Sequence, residues 1–154
     1  MTLSPRVLGV FLVLSIAPLT AMTVRSTLSS RAAAARTTWD SVYTTAQASR
    51  GETAYAKTCA RCHGASLGGG DEAAALTGGN FLGNWNGLPL SDLQKRIKTT
   101  MPSDTVGIYD IQLVTDVIAF MLKANGFPAG SVDLPKDAEP LKDITIKAGK
   151  PDGQ

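Results

Sequence analysis

Apolar and polar positions along the chain mark three stretches with helical periodicity. The first covers about residues 45–58, where Gly51, Tyr55 and Cys59 recur at every fourth position and therefore share one helix face. Gly51 is either a tolerated helix glycine, which costs about 1 kcal/mol relative to alanine, or a point where another helix approaches closely, with Tyr55 alongside. We favour the close approach.

A second helix is predicted from Ser91 to about Thr100. Ser91 and Gln94 have the spacing of a capping box, in which two side chains satisfy free amide groups at a helix start. Pro102 disfavours helical backbone angles at Met101, and this sets the predicted end of the helix.

A third helix is predicted between Asp110, a residue suited to capping, and about Asn125, after which Gly126 stops it. Its apolar positions form a broad stripe suited to packing against the first helix. The stripe consists of Leu113, Val117, Phe120 and Met121.

Between the first two helices, residues 64–87 hold eight of the chain's fifteen glycines. A phosphate-binding loop needs a Lys-Ser/Thr ending before a helix, and this segment has none. We interpret it as a loop that wraps a flat ligand at close backbone range. The apolar contacts would come from Phe81, Leu82, Trp85 and Leu88.

The N-terminal residues 1–26 have the pattern of a signal peptide, because Arg6 precedes an apolar run from Val7 to Leu19. The alternative is a membrane anchor that is retained on the outer face of the inner membrane. Either one places the rest of the chain in the periplasm. Residues 27–43, rich in Ser, Thr, Ala and Arg, are predicted to be a spacer.

The C-terminal residues 127–154 contain prolines and many charges. They are predicted to form an extension that packs on the domain surface, with a short strand-like alternation at residues 141–147. Its very end is expected to be disordered.

Charge excludes one class of partner. Fifteen basic residues face thirteen acidic ones, and Arg6 and Arg25 both lie in residues 1–26, so the remainder is formally neutral. Binding to nucleic acid has no support at this balance.

The strongest chemical signal is the segment Cys59-Ala60-Arg61-Cys62-His63, which contains the only histidine among 154 residues. This spacing is the attachment signature of a covalently bound haem c. On a helical turn the thiols of Cys59 and Cys62 can each add to a vinyl group, and His63 can coordinate the iron.

Other interpretations of the cysteine pair are weaker. A structural zinc site needs four ligands, and the segment supplies three. A thioredoxin-like redox pair needs a βαβ setting, and a disulfide between Cys59 and Cys62 would close too small a loop to constrain much chain.

The candidates for the sixth ligand of the iron are narrowed by elimination. A second histidine does not exist in the chain, and four methionines remain. Met1 and Met22 lie in the export segment, and Met121 lies in an apolar stripe that indicates core packing. Met101, in a loop before Pro102, is therefore the predicted thioether ligand.

These residues resemble the monohaem class I cytochromes c. The pattern comprises Gly51, Tyr55, the segment from Cys59 to Gly64, Thr100-Met101-Pro102, and the helix with Val117, Ile118, Ala119 and Phe120. The resemblance covers about residues 44–126, the predicted haem domain. It implies an all-α cytochrome c fold with three main helices around one haem.

The same resemblance implies that the first and last helices cross, with Gly51 and Tyr55 meeting Val117 and Phe120. Trp85 either directs its indole N–H toward a haem propionate or only walls the pocket. The family often has a proline below the haem, but residues 75–78 contain none, so the carbonyl that orients His63 stays open.

The resemblance implies an electron carrier, not an enzyme, that takes electrons from a dehydrogenase or quinol-oxidising complex and passes them to an oxidase. Residues 42–48 and 125–130, at either end of the domain, look like cytochrome c partners or domains associated with quinoprotein dehydrogenases. This likeness indicates a second hypothesis, a dedicated subunit of such a dehydrogenase with residues 127–154 as a strap. A third is a haem sensor or peroxidase with a labile Met101. Lys95, Arg96 and Lys98 either steer an acidic partner or form a solvated helix face.

Overall fold

The computed structural model describes residues 36–71 and 73–150. These residues are mostly helical, which confirms the all-α prediction, and their strands are two residues long. In chain order the elements are β1 (Arg36–Thr37), α1 (Thr45–Thr58), α2 (Ala60–His63), α3 (Gly78–Trp85), α4 (Leu90–Thr100), α5 (Ile111–Ala124), α6 (Ala138–Leu141) and β2 (Ile144–Thr145).

The first and third predicted helices are confirmed as α1 and α5. The Asp110 carboxylate caps α5 by accepting from the Leu113 amide at 3.0 Å. After α5, Gly126 takes a left-handed φ of 82°, which glycine adopts without steric cost. Helix α5 thus carries its start and stop signals locally, which explains why its bounds were predictable.

The predicted capping box of the second helix is wrong. Helix α4 begins at Leu90 after Pro89, and no side chain caps it. Ser91 lies buried inside the first turn. The side-chain Nε2 of Gln94 donates instead to Thr115 Oγ1 at 2.9 Å and to the Lys136 carbonyl at 2.8 Å. The Gln94 side chain therefore binds groups from distant parts of the chain and does not cap α4.

The crossing of α1 and α5 forms the centre of the fold. Gly51 lies directly against the α5 backbone at Asp116 and Val117, which confirms the predicted close approach. Alongside it, the rings of Tyr55 and Phe120 pack with centroids 5.4 Å apart. The contact implied by the family resemblance is present.

Residues 36–43 contribute buried side chains to the folded core, whereas the sequence predicted a spacer there. Val42 and Tyr43 are 3% and 2% exposed, and the Tyr43 hydroxyl donates to the Phe127 carbonyl at 2.7 Å. Trp39 packs edge-on against Phe127 with centroids 5.0 Å apart. The remaining residues of the predicted spacer, 27–35, lie outside the described part of the chain.

The C-terminal extension also enters the core instead of only covering it. Its buried apolar side chains are Leu134, Leu141, Ile144 and Ile146. Strand β2 confirms the strand-like alternation and pairs in parallel with β1. The predicted disordered end, residues 151–154, lies outside the described residues.

The sequence does not predict helix α3, because three of its eight residues are glycines, which lower its helix propensity. Packing overrides propensity here: Phe81 is 1% exposed, and the Asn125 side chain accepts from the Gly78 amide at 3.0 Å. The loop that was predicted for this region is therefore partly a helix.

The predicted signal peptide or anchor, residues 1–26, lies outside the described residues. Within residues 36–71 and 73–150, no helix has the length and apolarity that crossing a bilayer requires.

Candidate functional site

A cavity of about 960 Å³ lies among α2, α3, α4 and α5. It is near the top of the range of about 300–1,000 Å³ that ligand pockets usually occupy. All five predicted site residues line it, namely Cys59, Cys62, His63, Trp85 and Met101. The fold thus brings residues that are far apart in sequence to one site.

The two thiols lie where α1 passes into α2. The Cys59 amide still donates to the Tyr55 carbonyl at 2.9 Å, and the His63 amide donates to the Cys59 carbonyl at 3.0 Å. Cys59 is partly buried and Cys62 is exposed, and both thiols are free. Burial raises the pKa of the Cys59 thiol above its ordinary value.

The His63 ring is held by the backbone of the glycine-rich segment. Its Nδ1 lies 2.8 Å from the Ala74 carbonyl oxygen. A carbonyl can only accept, so Nδ1 carries the proton and Nε2 keeps its lone pair free for a metal. The sequence does not identify the carbonyl that orients His63. In the structure it is the carbonyl of Ala74, one residue before residues 75–78.

Gly69 shapes the turn that presents Ala74. Its φ is 77°, and a Cβ at this position would lie 2.6 Å from both the Ala73 oxygen and the Ala75 nitrogen. Its own amide donates to the His63 carbonyl at 2.9 Å. The glycine-rich sequence predicts close backbone approach in this segment but does not single out Gly69.

Met101 is the C-cap residue that follows α4, and its amide donates to the Ile97 carbonyl at 3.0 Å. The Met101 loop, defined as residues 101–110, then runs to the start of α5. Met101 and Pro102 line the cavity together with His63. A thioether and an imidazole, the two ligand types of a His/Met haem, are therefore available in one cavity.

Trp85 lies on α3 beside Phe81, with ring centroids 6.4 Å apart, and forms part of the cavity wall. Met121 is 1% exposed, as expected for core packing, and it also lines the cavity. The sequence did not predict this second thioether next to the site.

For Lys95, Arg96 and Lys98 the sequence leaves two alternatives, steering of an acidic partner or a solvated helix face. In the structure the Lys98 ammonium group donates to the Gly107 carbonyl at 2.7 Å and to the Tyr109 carbonyl. Arg96 lines the cavity. Arg96 and Lys98 thus lie in different surroundings, and Lys98 binds the backbone of the Met101 loop.

Two further contacts at the site were not visible in the sequence. The Tyr55 hydroxyl donates to the Gly64 carbonyl at 2.6 Å, and burial, with a smaller effect from Cys59, raises the pKa of Tyr55 to about 12. The Arg61 guanidinium donates to Asp104, and this contact holds the pKa of the Asp104 carboxyl below its usual range.

The site's donor set agrees with haem better than with zinc. Across residues 36–71 and 73–150, no three His, Cys, Asp or Glu side chains come together as a metal-binding group. Two free thiols on one helical turn, an oriented imidazole and a thioether fit an attached iron porphyrin.

Comparison with known structures gives one likeness. The crystal structure of the sulfane dehydrogenase SoxCD from Paracoccus pantotrophus matches with a TM-score of 0.47 and 20% identity. The match covers 75% of this chain and 66% of that one, so this chain spans slightly less than two thirds of its length. Curated proteins gave no match.

Comparison with protein families gives a match over residues 46–121, to the family described as cytochrome c oxidase, cbb3-type, subunit III. The matched range contains the cysteine pair, His63, Met101 and nearly all of the crossing helices α1 and α5. Through these residues the chain is similar to the c-type cytochromes of the class I kind, a likeness that implies the fold described above, haem c as the cofactor and electron transfer as the activity.

Proposed function

We propose that this protein is a periplasmic one-electron carrier with a single haem c bound through Cys59 and Cys62, with His63 and Met101 as axial ligands. The observation that carries the proposal is the hydrogen bond from His63 Nδ1 to the Ala74 carbonyl, at 2.8 Å, in a cavity that Met101 also lines. This bond leaves Nε2 as the coordinating atom and fixes the plane of the ring.

The bound haem supplies a one-electron ferric/ferrous couple. The protein's share is to hold that group in an apolar cavity and to provide its ligands. His/Met ligation raises the reduction potential, and it leaves no axial position open for oxygen or peroxide. This supports a carrier over a haem sensor or a peroxidase.

The C-terminal extension supports a carrier over a permanently bound subunit. A strap that bound a quinoprotein dehydrogenase through Leu141, Ile144 and Ile146 would need these residues free, but they are 0%, 2% and 0% exposed in this chain's own core. The proposed donor is a periplasmic dehydrogenase or quinol-oxidising complex, and the proposed acceptor is an oxidase.

The test of ligation is the visible spectrum of the protein produced with the haem c attachment machinery. We expect a ferric thioether-to-iron band in wild type and in Met121→Leu, and its loss in Met101→Ala together with a lower reduction potential. Met121→Leu is the matched control, because Met121 is a buried thioether that lines the same cavity.

Covalent attachment and export have their own measurements. Acid-acetone extraction should leave the colour with wild-type protein, and should remove it from a Cys59→Ala, Cys62→Ala double variant that retains any haem. Cell fractionation and the mass of the mature chain test export and cleavage within residues 1–26. A thioether-to-iron band that remains in Met101→Ala would refute the proposed ligation. Haem that acid-acetone extracts from wild type would refute covalent attachment.

Size exclusion of the native protein, purified from its host, distinguishes the carrier hypothesis from the subunit hypothesis. A carrier elutes at the size of a monomer and is reduced and reoxidised with a one-electron Nernst slope. Constant co-elution with a dehydrogenase would favour the subunit instead.

A further inference from the structure

The Met101 loop does little to hold itself in place. Its internal backbone bonds include Thr105 to Pro102 at 3.1 Å, with Gly107 to Met101 and Ile108 to Thr105 both at 3.4 Å. Two of its apolar side chains face solvent, with Val106 56% and Ile108 65% exposed. A loop with long hydrogen bonds and little buried surface opens easily unless contacts from outside hold it.

The first external contact is Lys98, which lies on α4 just before the loop. Its ammonium group donates to the carbonyls of Gly107 and Tyr109, near the far end of the loop. This ties the loop to the helix from which it emerges. It does not connect the loop to the opposite side of the cavity.

The second external contact makes that connection. Arg61, between the two cysteines on α2, donates from its guanidinium to Asp104, which lies 43 residues further along the chain. Asp104 also accepts from the Thr105 hydroxyl at 3.0 Å. The two side chains are 60% and 53% exposed, so the ion pair lies at the surface of the cavity region.

We propose that Arg61 and Asp104 are positioning residues that fasten the Met101 loop to the haem-attachment helix and so slow the release of Met101 from the iron. The inference rests on the proposed His63/Met101 ligation. Its physical basis is that the ion pair joins the loop to α2, so that movement of the loop away from α2 pulls the two side chains apart. The pair adds its interaction to the closed state and not to the open one.

The expected effect is modest, because exposed ion pairs are weak and are screened by salt. Breaking the pair should speed ligand exchange roughly two- to fivefold at low ionic strength. High salt should speed exchange in wild type and have little effect where the pair is already broken.

The experiment is stopped-flow binding of imidazole to the ferric haem protein, at low and high sodium chloride. Asp104→Asn removes the carboxylate, and Glu52→Gln is the matched control. Glu52 pairs with Lys123 at 3.2 Å between α1 and α5, with side chains that are similarly exposed, and neither residue lines the cavity. We expect faster imidazole binding in Asp104→Asn only.

Charge reversal supplies a rescue test. Arg61→Asp places two carboxylates together and should give the fastest exchange, whereas Arg61→Asp with Asp104→Arg restores opposite charges and should return the rate toward wild type. Each variant is first checked for full haem content and for the thioether-to-iron band.

Two results would overturn the proposal: an Asp104→Asn rate equal to wild type at low salt, or a double variant as fast as Arg61→Asp alone. Failure of the proposed ligation is a different result, because wild type itself would then lack haem or the thioether-to-iron band.

Discussion

A Cβ atom on Gly51 would stand 1.8 Å from the backbone oxygen of Asp116. The contact is backbone against backbone, so no side chain can turn away to make room. The α1–α5 crossing therefore depends on the absence of a side chain at one position.

Gly51→Ala should force α1 and α5 apart and lower the free energy of unfolding by about 3 kcal/mol or more. Gly83→Ala is the matched control, because Gly83 lies in α3 and a Cβ there meets nothing within 4 Å. It should leave stability unchanged or raise it by up to about 1 kcal/mol. Urea unfolding of the haem proteins, followed by circular dichroism, compares them; equal midpoints would contradict the packing argument.

Gln47 joins α1 to the C-terminal extension through both ends of its amide. Its Nε2 donates to the Leu134 carbonyl at 3.0 Å and its Oε1 accepts from the Leu134 amide at 2.6 Å, and Gln47 is 0% exposed. Gln47→Ala should cost about 2–4 kcal/mol, because two buried backbone groups lose their partner. Ser49→Ala, on the exposed face of α1, should cost less than about 0.5 kcal/mol in the same unfolding measurement.

A substitution at Ile146 tests whether the C-terminal extension is part of the hydrophobic core or only packs on the surface. Ile146 is 0% exposed, its amide donates to the Leu88 carbonyl at 2.9 Å, and its carbonyl accepts from the Gly87 amide at 2.8 Å. Ile146→Ala should cost about 2–5 kcal/mol, whereas Val132→Ala, at a side chain 72% exposed, should cost little. Nearly equal urea midpoints for the two variants would mean that the extension adds no core.

Asp133 gives a pH-dependent prediction. Hydrogen bonds from Thr44 and from Arg50, the latter at 2.8 Å, lower the pKa of the Asp133 carboxyl in the folded state. A folded pKa below the unfolded value of about 3.9 stabilises the protein above that pH, and the contribution is lost as pH falls through the folded pKa.

Asp133→Asn should therefore be less stable than wild type at pH 7, by about 1 kcal/mol or less because the site is exposed. The difference should shrink as the pH is lowered below about 4. Free energies of unfolding for both proteins across this range provide the check. A difference that stays constant with pH would show that the carboxylate charge has no part in it.

The parts of the fold that were predictable carry their signals within a few residues. Helix α5 has its cap at Asp110 and its stop at Gly126, and both act where they stand in the sequence. Helix α4 shows the limit of this logic, because Gln94 has the right spacing for a cap but finds better partners in Thr115 and Lys136. Local patterns fail where a distant group competes for the same side chain.

The sequence alone determined which chemical groups this chain offers: two thiols, one imidazole and one loop thioether, at spacings that indicate haem c. Only the tertiary structure decided that the Ala74 carbonyl holds His63, that residues 36–43 and the C-terminal extension complete the core, and that Arg61 meets Asp104. The physical reason is the separation along the chain of the residues that set each property. Ligand identity is a property of single residues, whereas orientation and burial depend on which segments the α1–α5 crossing brings together.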